Sequence, residues 1–135
     1  MLSKKTRYAM VSLARLAREY GNGSVPISKI AEEEKIPQRF LEGILLELKR
    51  IGILDSTRGK SGGYYMLKHP TKVPIADIIT IFEGSLGMLA CVCNNKYKPC
   101  EFCKDETSCK IRRIFEHVLE SSSSILKNTT LQDLV

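Results

Sequence analysis

The chain has 135 residues, 43% hydrophobic and 27% charged, with a formal net charge of +6. That balance describes one globular domain with at most an appendage, and excludes a disordered or collagen-like chain. No apolar run approaches the ~18–20 residues of a membrane span. Met1-Leu2-Ser3-Lys4-Lys5 leads into an amphipathic segment holding Arg15 and Arg18 rather than a secretory signal, so a cytoplasmic protein with no membrane partner is expected.

Residues 4–20 predict a helix, with Ala9, Leu13, Leu16, Ala17 and Tyr20 at spacings of three and four and Gly21-Asn22-Gly23 as its stop. Ser28 is placed to cap a short second helix that turns Ile30 and Ala31 inward and carries Glu32-Glu33-Glu34 on or near its outer face. Pro37 suits the first position of a third helix running to about Arg50, with Gly52 just past its end. On that helix Leu41, Ile44, Leu45 and Leu48 fall within about 100° of one another, with Arg39, Gly43 and Arg50 opposite and Glu42 on the flank. Leu46 also points outward, and packing on the first helix is one place it could go.

Residues 53–56 and 64–67 read as short strands around Thr57-Arg58-Gly59-Lys60-Ser61-Gly62-Gly63, a glycine-rich hairpin loop with two cations. Three short helices and a β-hairpin make a winged helix-turn-helix, so the fold class is mainly α with a small β-hairpin wing. A fourth helix follows over 73–82 and ends near Gly84. Residues 84–104 lack periodicity, and a loop of about twenty residues in a compact domain is usually functional. A long helix over 107–127 carries a stripe of Ile111, Ile114, Phe115, Val118, Leu119, Ser122, Ile125 and Leu126, with residues 121–124, all serine, weakening its second half. Thr130-Leu131-Gln132-Asp133 resembles a small capping box. The expected units are 1–83 for DNA binding, 84–106 as a cysteine-rich sensor loop, and 107–135 for dimerisation plus a final turn.

Charge and thiols are segregated. Residues 1–68 hold thirteen Lys/Arg against seven Asp/Glu, a net of +6, whereas residues 69–135 hold eight of each. A basic half suggests a polyanion, nucleic acid before membrane. The third helix fits a major groove, with Arg39 as the candidate base contact and Gln38 and Glu42 beside it. Gly43 would let the groove wall approach, Lys4, Lys5 and Arg7 would neutralise phosphates, and Arg58, Gly59 and Lys60 form a wing tip suited to the minor groove. A solvated helix-face arginine or an ordinary polar hairpin would look the same taken singly; coincidence in one segment favours duplex DNA. The wing is not a phosphate-binding loop, because the Gly-x-x-x-x-Gly-Lys-[Ser/Thr] spacing is absent.

All five cysteines, Cys91, Cys93, Cys100, Cys103 and Cys109, lie within nineteen residues. An odd number without a signal argues against a disulfide framework and for metal or redox chemistry. Soft thiolates suit a [2Fe–2S] cluster or zinc on Cys91 (or Cys93), Cys100, Cys103 and Cys109; the third reading is metal-free thiols. Lys96 and Lys98 are near enough in sequence to favour thiolates. A thiol oxidoreductase using Cys100 and Cys103 is the rival from another class, but its C-x-x-C has no βαβ setting and His69 and His117 join no nucleophile motif.

Lys4-Lys5-Thr6-Arg7-Tyr8-Ala9-Met10, Pro26-Ile27-Ser28-Lys29-Ile30-Ala31, Phe40-Leu41-Glu42 and Arg58-Gly59-Lys60-Ser61-Gly62-Gly63-Tyr64 resemble the Rrf-two family of bacterial transcriptional regulators, as does Asn128-Thr129-Thr130-Leu131 near the end. The resemblance implies a homodimeric winged-helix regulator, a repressor in the reading adopted, on a pseudo-palindromic operator, with dimerisation through the long helix and a cysteine loop leading into it. The long apolar stripe independently favours a second chain as its cover. Cluster-binding members usually show three cysteines with five residues between the last two; Cys103 and Cys109 match that pair. Arg112 stands where a ligating histidine occurs in the family and cannot ligate, His117 lies too far along the helix, and Cys100 could supply the missing thiolate.

Overall fold

The computed structural model describes residues 2–93, 97–102 and 105–135. Five helices, α1 (Lys4–Arg18), α2 (Ile27–Glu34), α3 (Gln38–Arg50), α4 (Ile75–Glu83) and α5 (Lys110–Asn128), accompany one antiparallel hairpin, β1 (Leu54–Thr57) and β2 (Gly63–Met66). The hairpin register pairs Leu54 with Met66 and Thr57 with Gly63. Val25 adds a third edge: its N–H donates to the Tyr64 carbonyl at 2.8 Å and its carbonyl accepts from the Tyr64 N–H at 2.9 Å. The α1–α2 connection is thereby stitched to the root of the wing.

The core follows the helical stripes. Leu13 and Leu16 of α1, Ile30 of α2, Leu41, Ile44, Leu45 and Leu48 of α3, and Ile78 of α4 are fully buried together with Leu54. Burial of such side chains contributes about 1.5–3 kcal/mol each. Leu131, from the turn that follows α5, joins this same core; its N–H donates to the Val73 carbonyl at 3.0 Å, and the Ile75 N–H donates to the Thr129 carbonyl at 2.8 Å. The end of the chain therefore closes the head. The expected capping box forms between Thr130 and Asp133.

Several boundaries differ from expectation. Helix α1 stops at Arg18, before Tyr20, and begins on a Ser3 cap whose hydroxyl accepts from the Thr6 N–H at 3.2 Å. Ser28 lies inside α2, and Pro26 occupies the cap position without a side-chain bond. Pro37 is likewise the cap of α3 and not its first residue. Leu46 stays exposed instead of packing on α1. Helix α5 starts at Lys110, because residues 106–108 form a separate 3-10 turn after Asp105. Asp105 accepts from the Thr107 hydroxyl and N–H, and these bonds hold its carboxyl below the ordinary range.

Part of the 84–104 segment is built tightly. Gly84 ends α4 in the left-handed region at φ 85°. Leu89 and Val92 bridge, and Gly87 packs so closely that an added Cβ would stand 1.9 Å from the Val92 carbonyl oxygen and 2.9 Å from Cys93 Cα. Cys91 and Val92 are buried within this turn.

Candidate functional site

Gln38, the first residue of α3, with Arg39, Glu42 and Gly43, forms an exposed face over one and a half turns. A Cβ on Gly43 would meet nothing within 4 Å. Opposite this face the buried leucine stripe fixes the rotation of α3, so the outward direction of Arg39 follows from the core. The T-shaped contact of Tyr8 with Phe40, 5.6 Å between centroids, further locks α3 to α1.

The wing tip is exposed at Arg58, Gly59 and Lys60. Gly59 sits at φ 100°, and its carbonyl accepts from the Gly62 N–H at 3.0 Å, which turns the chain back into β2. Between the starts of α2 and α3 and the wing lies a polar cleft of about 350 Å³, whose lining includes Ser28, Gln38, Ser56 and Thr57. Lys4 and Arg7 are exposed on the first turn of α1. Among the described residues, the side chains of Lys4, Arg7, Arg39, Arg58 and Lys60 pair with no carboxylate. Lys5 differs: its Nζ pairs with Glu47 of α3 at 2.9 Å and lies 5.4 Å from the Phe82 ring centroid.

The acidic run of α2 has structural partners. Arg15, nearly buried on α1, donates to Glu33 at 2.6 Å and to Glu19 at 3.2 Å, while Arg18 pairs with Glu34 at 3.7 Å. The Arg15 guanidinium holds the Glu33 carboxyl below its ordinary range, and Glu33 in turn raises Arg15. Two of these pairs, Arg15–Glu33 and Arg18–Glu34, tie α1 to α2.

The thiol segment meets α5 at its N-terminus. Cys109 caps the helix, its Sγ accepting from the Arg112 N–H at 3.4 Å. The Arg112 side chain reaches back, donating from Nε to the Cys91 carbonyl at 3.4 Å, and pairs with Glu116 at 3.1 Å. One arginine thus ties Cys91 and Cys109, residues eighteen apart in sequence. The Cys93 thiol donates to the Ala90 carbonyl at 3.2 Å, an atom that also accepts from the Lys98 N–H at 2.9 Å. Cys100 is exposed. Cys103 and Lys96 lie outside the described residues. Among the described residues no three His, Cys, Asp or Glu side chains converge as metal ligands. Cysteine sulfur is a donor type that iron–sulfur clusters and zinc accept, and the Cys109 sulfur already accepts an N–H···S bond.

Three participants were missed by sequence reasoning: Ser3 and Thr6 at the start of α1, and Glu83 at the end of α4. Glu83 Oε1 accepts from the Ser3 N–H at 2.8 Å and from the Thr6 hydroxyl. A serine three residues ahead of a threonine at a helix start was the available signal; the distant carboxylate had none.

A helix-turn-helix with a stitched wing and a row of outward cations defines a winged-helix DNA-binding protein. The model of the family described as "Rrf2: Iron-dependent Transcriptional regulator" matches residues 2–135. An rrf2-like regulator of Rhodobacter capsulatus is 38% identical over 138 residues, covering all of this chain and 92% of that one. IscR of Yersinia pestis is 31% identical over 134 residues, covering 99% and 78%. The solved structure of CymR from Bacillus subtilis superposes with a TM-score of 0.82 at 25% identity, covering 99% and 95%. The chain belongs to the Rrf2 family. It is a transcriptional regulator and not an enzyme, and no helix of the described residues is long and apolar enough to cross a membrane.

Proposed function

We propose that the protein is a cytoplasmic homodimeric repressor that binds a pseudo-palindromic operator and whose affinity is set by the state of its cysteine segment. Residues 1–83 read the duplex, with Arg39, Gln38 and Glu42 toward the bases, Arg58, Gly59 and Lys60 at the minor groove, and Lys4 and Arg7 on phosphates. Lys5 contributes through its charge while engaged with Glu47 and Phe82. Residues 84–106 sense, and 107–135 dimerise.

The observation that carries this reading is the Arg112 bridge. It joins the buried Cys91 turn to Cys109 at the very start of the helix whose outer face is unpartnered. On α5, Ile111, Ile114, Val118, Ser121 and Ile125 recur at intervals of three and four, a coiled-coil-like seam. Ile111, Ile114 and Ile125 are 63%, 61% and 66% exposed in the protomer. A second copy supplies the cover, and two-fold symmetry then sets two reading heads about 34–36 Å apart or a multiple of that.

Cys91, Cys100, Cys103 and Cys109, with Cys93 as substitute for Cys91, are the residues that would hold a [2Fe–2S] cluster. Such a group would supply sensitivity to oxidants, nitric oxide or iron supply. Relatives point both ways, one being an IscR and another titled the global cysteine regulator of its organism. Whichever group binds, a change at Cys91 or Cys109 alters the Arg112 bridge and hence the setting of α5. It shifts operator binding only through its differential affinity for the two dimer arrangements.

Anaerobic purification with a visible spectrum and iron, sulfide and zinc analysis, followed by operator binding, tests the proposal. Sulfide-to-iron near unity identifies the cluster, stoichiometric zinc a tetrahedral thiolate site, and neither a thiol switch. A Cys103→Ala, Cys109→Ala protein with unchanged operator affinity under all redox conditions would refute the sensor role.

A further inference from the structure

The last turn of α4 stands between the two halves of the molecule. On one side Gly84 turns the chain at φ 85° into the cysteine turn, where the Ser85 hydroxyl accepts from the Gly87 N–H at 3.0 Å and Gly87 packs on Val92 and Cys93. On the other side Glu83 accepts from Ser3 and Thr6. Ser3 itself caps α1 through its hydroxyl, which lies 3.1 Å from Thr6 Oγ1. Thr6 has no exposed surface, so without Glu83 its hydroxyl would keep only the Ser3 contact. The neighbouring Phe82 faces Lys5, whose ion pair with Glu47 extends the connection to α3. Cys91 therefore lies eight positions after the carboxylate that fastens the turn bearing Lys4 and Arg7.

We propose that Glu83 is the positioning residue that transmits the state of the cysteine turn to the phosphate-binding first turn of α1, by making or releasing the Ser3–Thr6 cap. This rests on the thiol-dependent operator binding proposed above. When the cysteine turn moves, Gly84 and Glu83 move with it; loss of the Ser3 and Thr6 bonds frees the start of α1 and withdraws Lys4 and Arg7 from a common register with Arg39. Glu83 is half-buried, so a carboxylate released from Ser3 and Thr6 can be taken up by solvent.

The test compares wild type, Glu83→Ala, Thr6→Val and Glu83→Gln, each as isolated anaerobically and after oxidation of its thiols by diamide. Two readouts are taken: amide hydrogen exchange of residues 3–7, and operator affinity. In wild type, both should change with thiol state, affinity by about fivefold or more. In Glu83→Ala and Thr6→Val the ratio of affinities between the two states should fall toward unity, and in Glu83→Gln, which keeps the accepting oxygen, it should survive. A merely structural role would lower stability and basal affinity in both states alike and leave the ratio intact, which would overturn the inference while the thiol response of wild type stands. Exchange at residues 3–7 that follows thiol state through Glu83, with operator affinity indifferent, would support the inference and refute the proposed sensor function. Exchange at residues 3–7 that ignores thiol state in wild type would overturn the inference outright.

Discussion

Placing a carboxylate in the outer seam of α5, by Ile114→Glu, tests the dimer most sharply among single substitutions. Full burial of an isoleucine contributes about 1.5–3 kcal/mol. Ile114 is 61% exposed in the protomer, so covering what remains is worth about 1–2 kcal/mol per chain. Two-fold symmetry counts the loss twice, about 2–4 kcal/mol, which raises the dimer dissociation constant roughly 30- to 700-fold before the cost of burying charge is added. Sedimentation velocity across a concentration series reads this directly. Leu67→Glu, at a 52% exposed position outside α5, is the control and should leave the association unchanged. An Ile114→Glu protein that sediments as wild type at every concentration would refute the seam.

Three further outcomes are expected. Arg39→Ala should relax sequence preference, costing about 1–3 kcal/mol at the preferred base and little elsewhere, whereas Lys4→Ala should weaken all sequences alike and reduce the salt slope of binding by about one; competition binding against randomised operators separates the two. Gly63→Ala would put a Cβ 2.2 Å from the Val25 carbonyl oxygen and should cost about 1–3 kcal/mol as the wing root yields, seen as a lower denaturant midpoint, while Gly87→Ala should disturb the cysteine turn and leave the wing's amide protection as it was. The Thr6 hydroxyl and the Ser3 N–H and hydroxyl hold the Glu83 carboxyl below its ordinary range; a depressed acid stabilises the fold above its unfolded value, near pH ~4, and loses that contribution as pH falls further. Thermal melts from neutral to pH ~2.5 should therefore fall more steeply below pH ~4 for wild type than for Glu83→Gln, and parallel curves would contradict that assignment.

Much of the head was legible because periodicity and core burial are the same fact seen twice. Leu41, Ile44, Leu45 and Leu48 announce α3 and, by occupying the inside, turn Arg39 outward. The wing was legible from glycine chemistry, and the Thr130–Asp133 box from side-chain spacing. Helix starts were not: Pro26 and Pro37 take cap positions with no side-chain bond, so the serine rule pointed two residues too late at Ser28. Long-range polar partners were also hidden. Nothing local announces that Val25 will pair with Tyr64, that Glu33 will hold Arg15, or that Glu83 will reach Ser3 and Thr6, eighty and seventy-seven residues away. The α5 stripe was read as one surface, yet packing divides it. Phe115, Leu119 and Leu126 are half-buried, with Leu119 and Leu126 beside Ile79 in a cleft of about 440 Å³, while Ile111, Ile114 and Ile125 face outward. Arg112 was read only as a missing ligand; its role as the link between Cys91 and Cys109 depends on a fold that brings two distant backbones together.

In the proposed regulator two copies, joined along α5, read one duplex together. Hydroxyl-radical footprinting of an operator selected from a random pool, with native mass spectrometry of the same complex, tests it most directly. Two protomers per duplex and two symmetric protected half-sites are expected, spaced by about one helical turn, 34–36 Å, or a multiple of it. A single protected half-site bound by one protomer would contradict it.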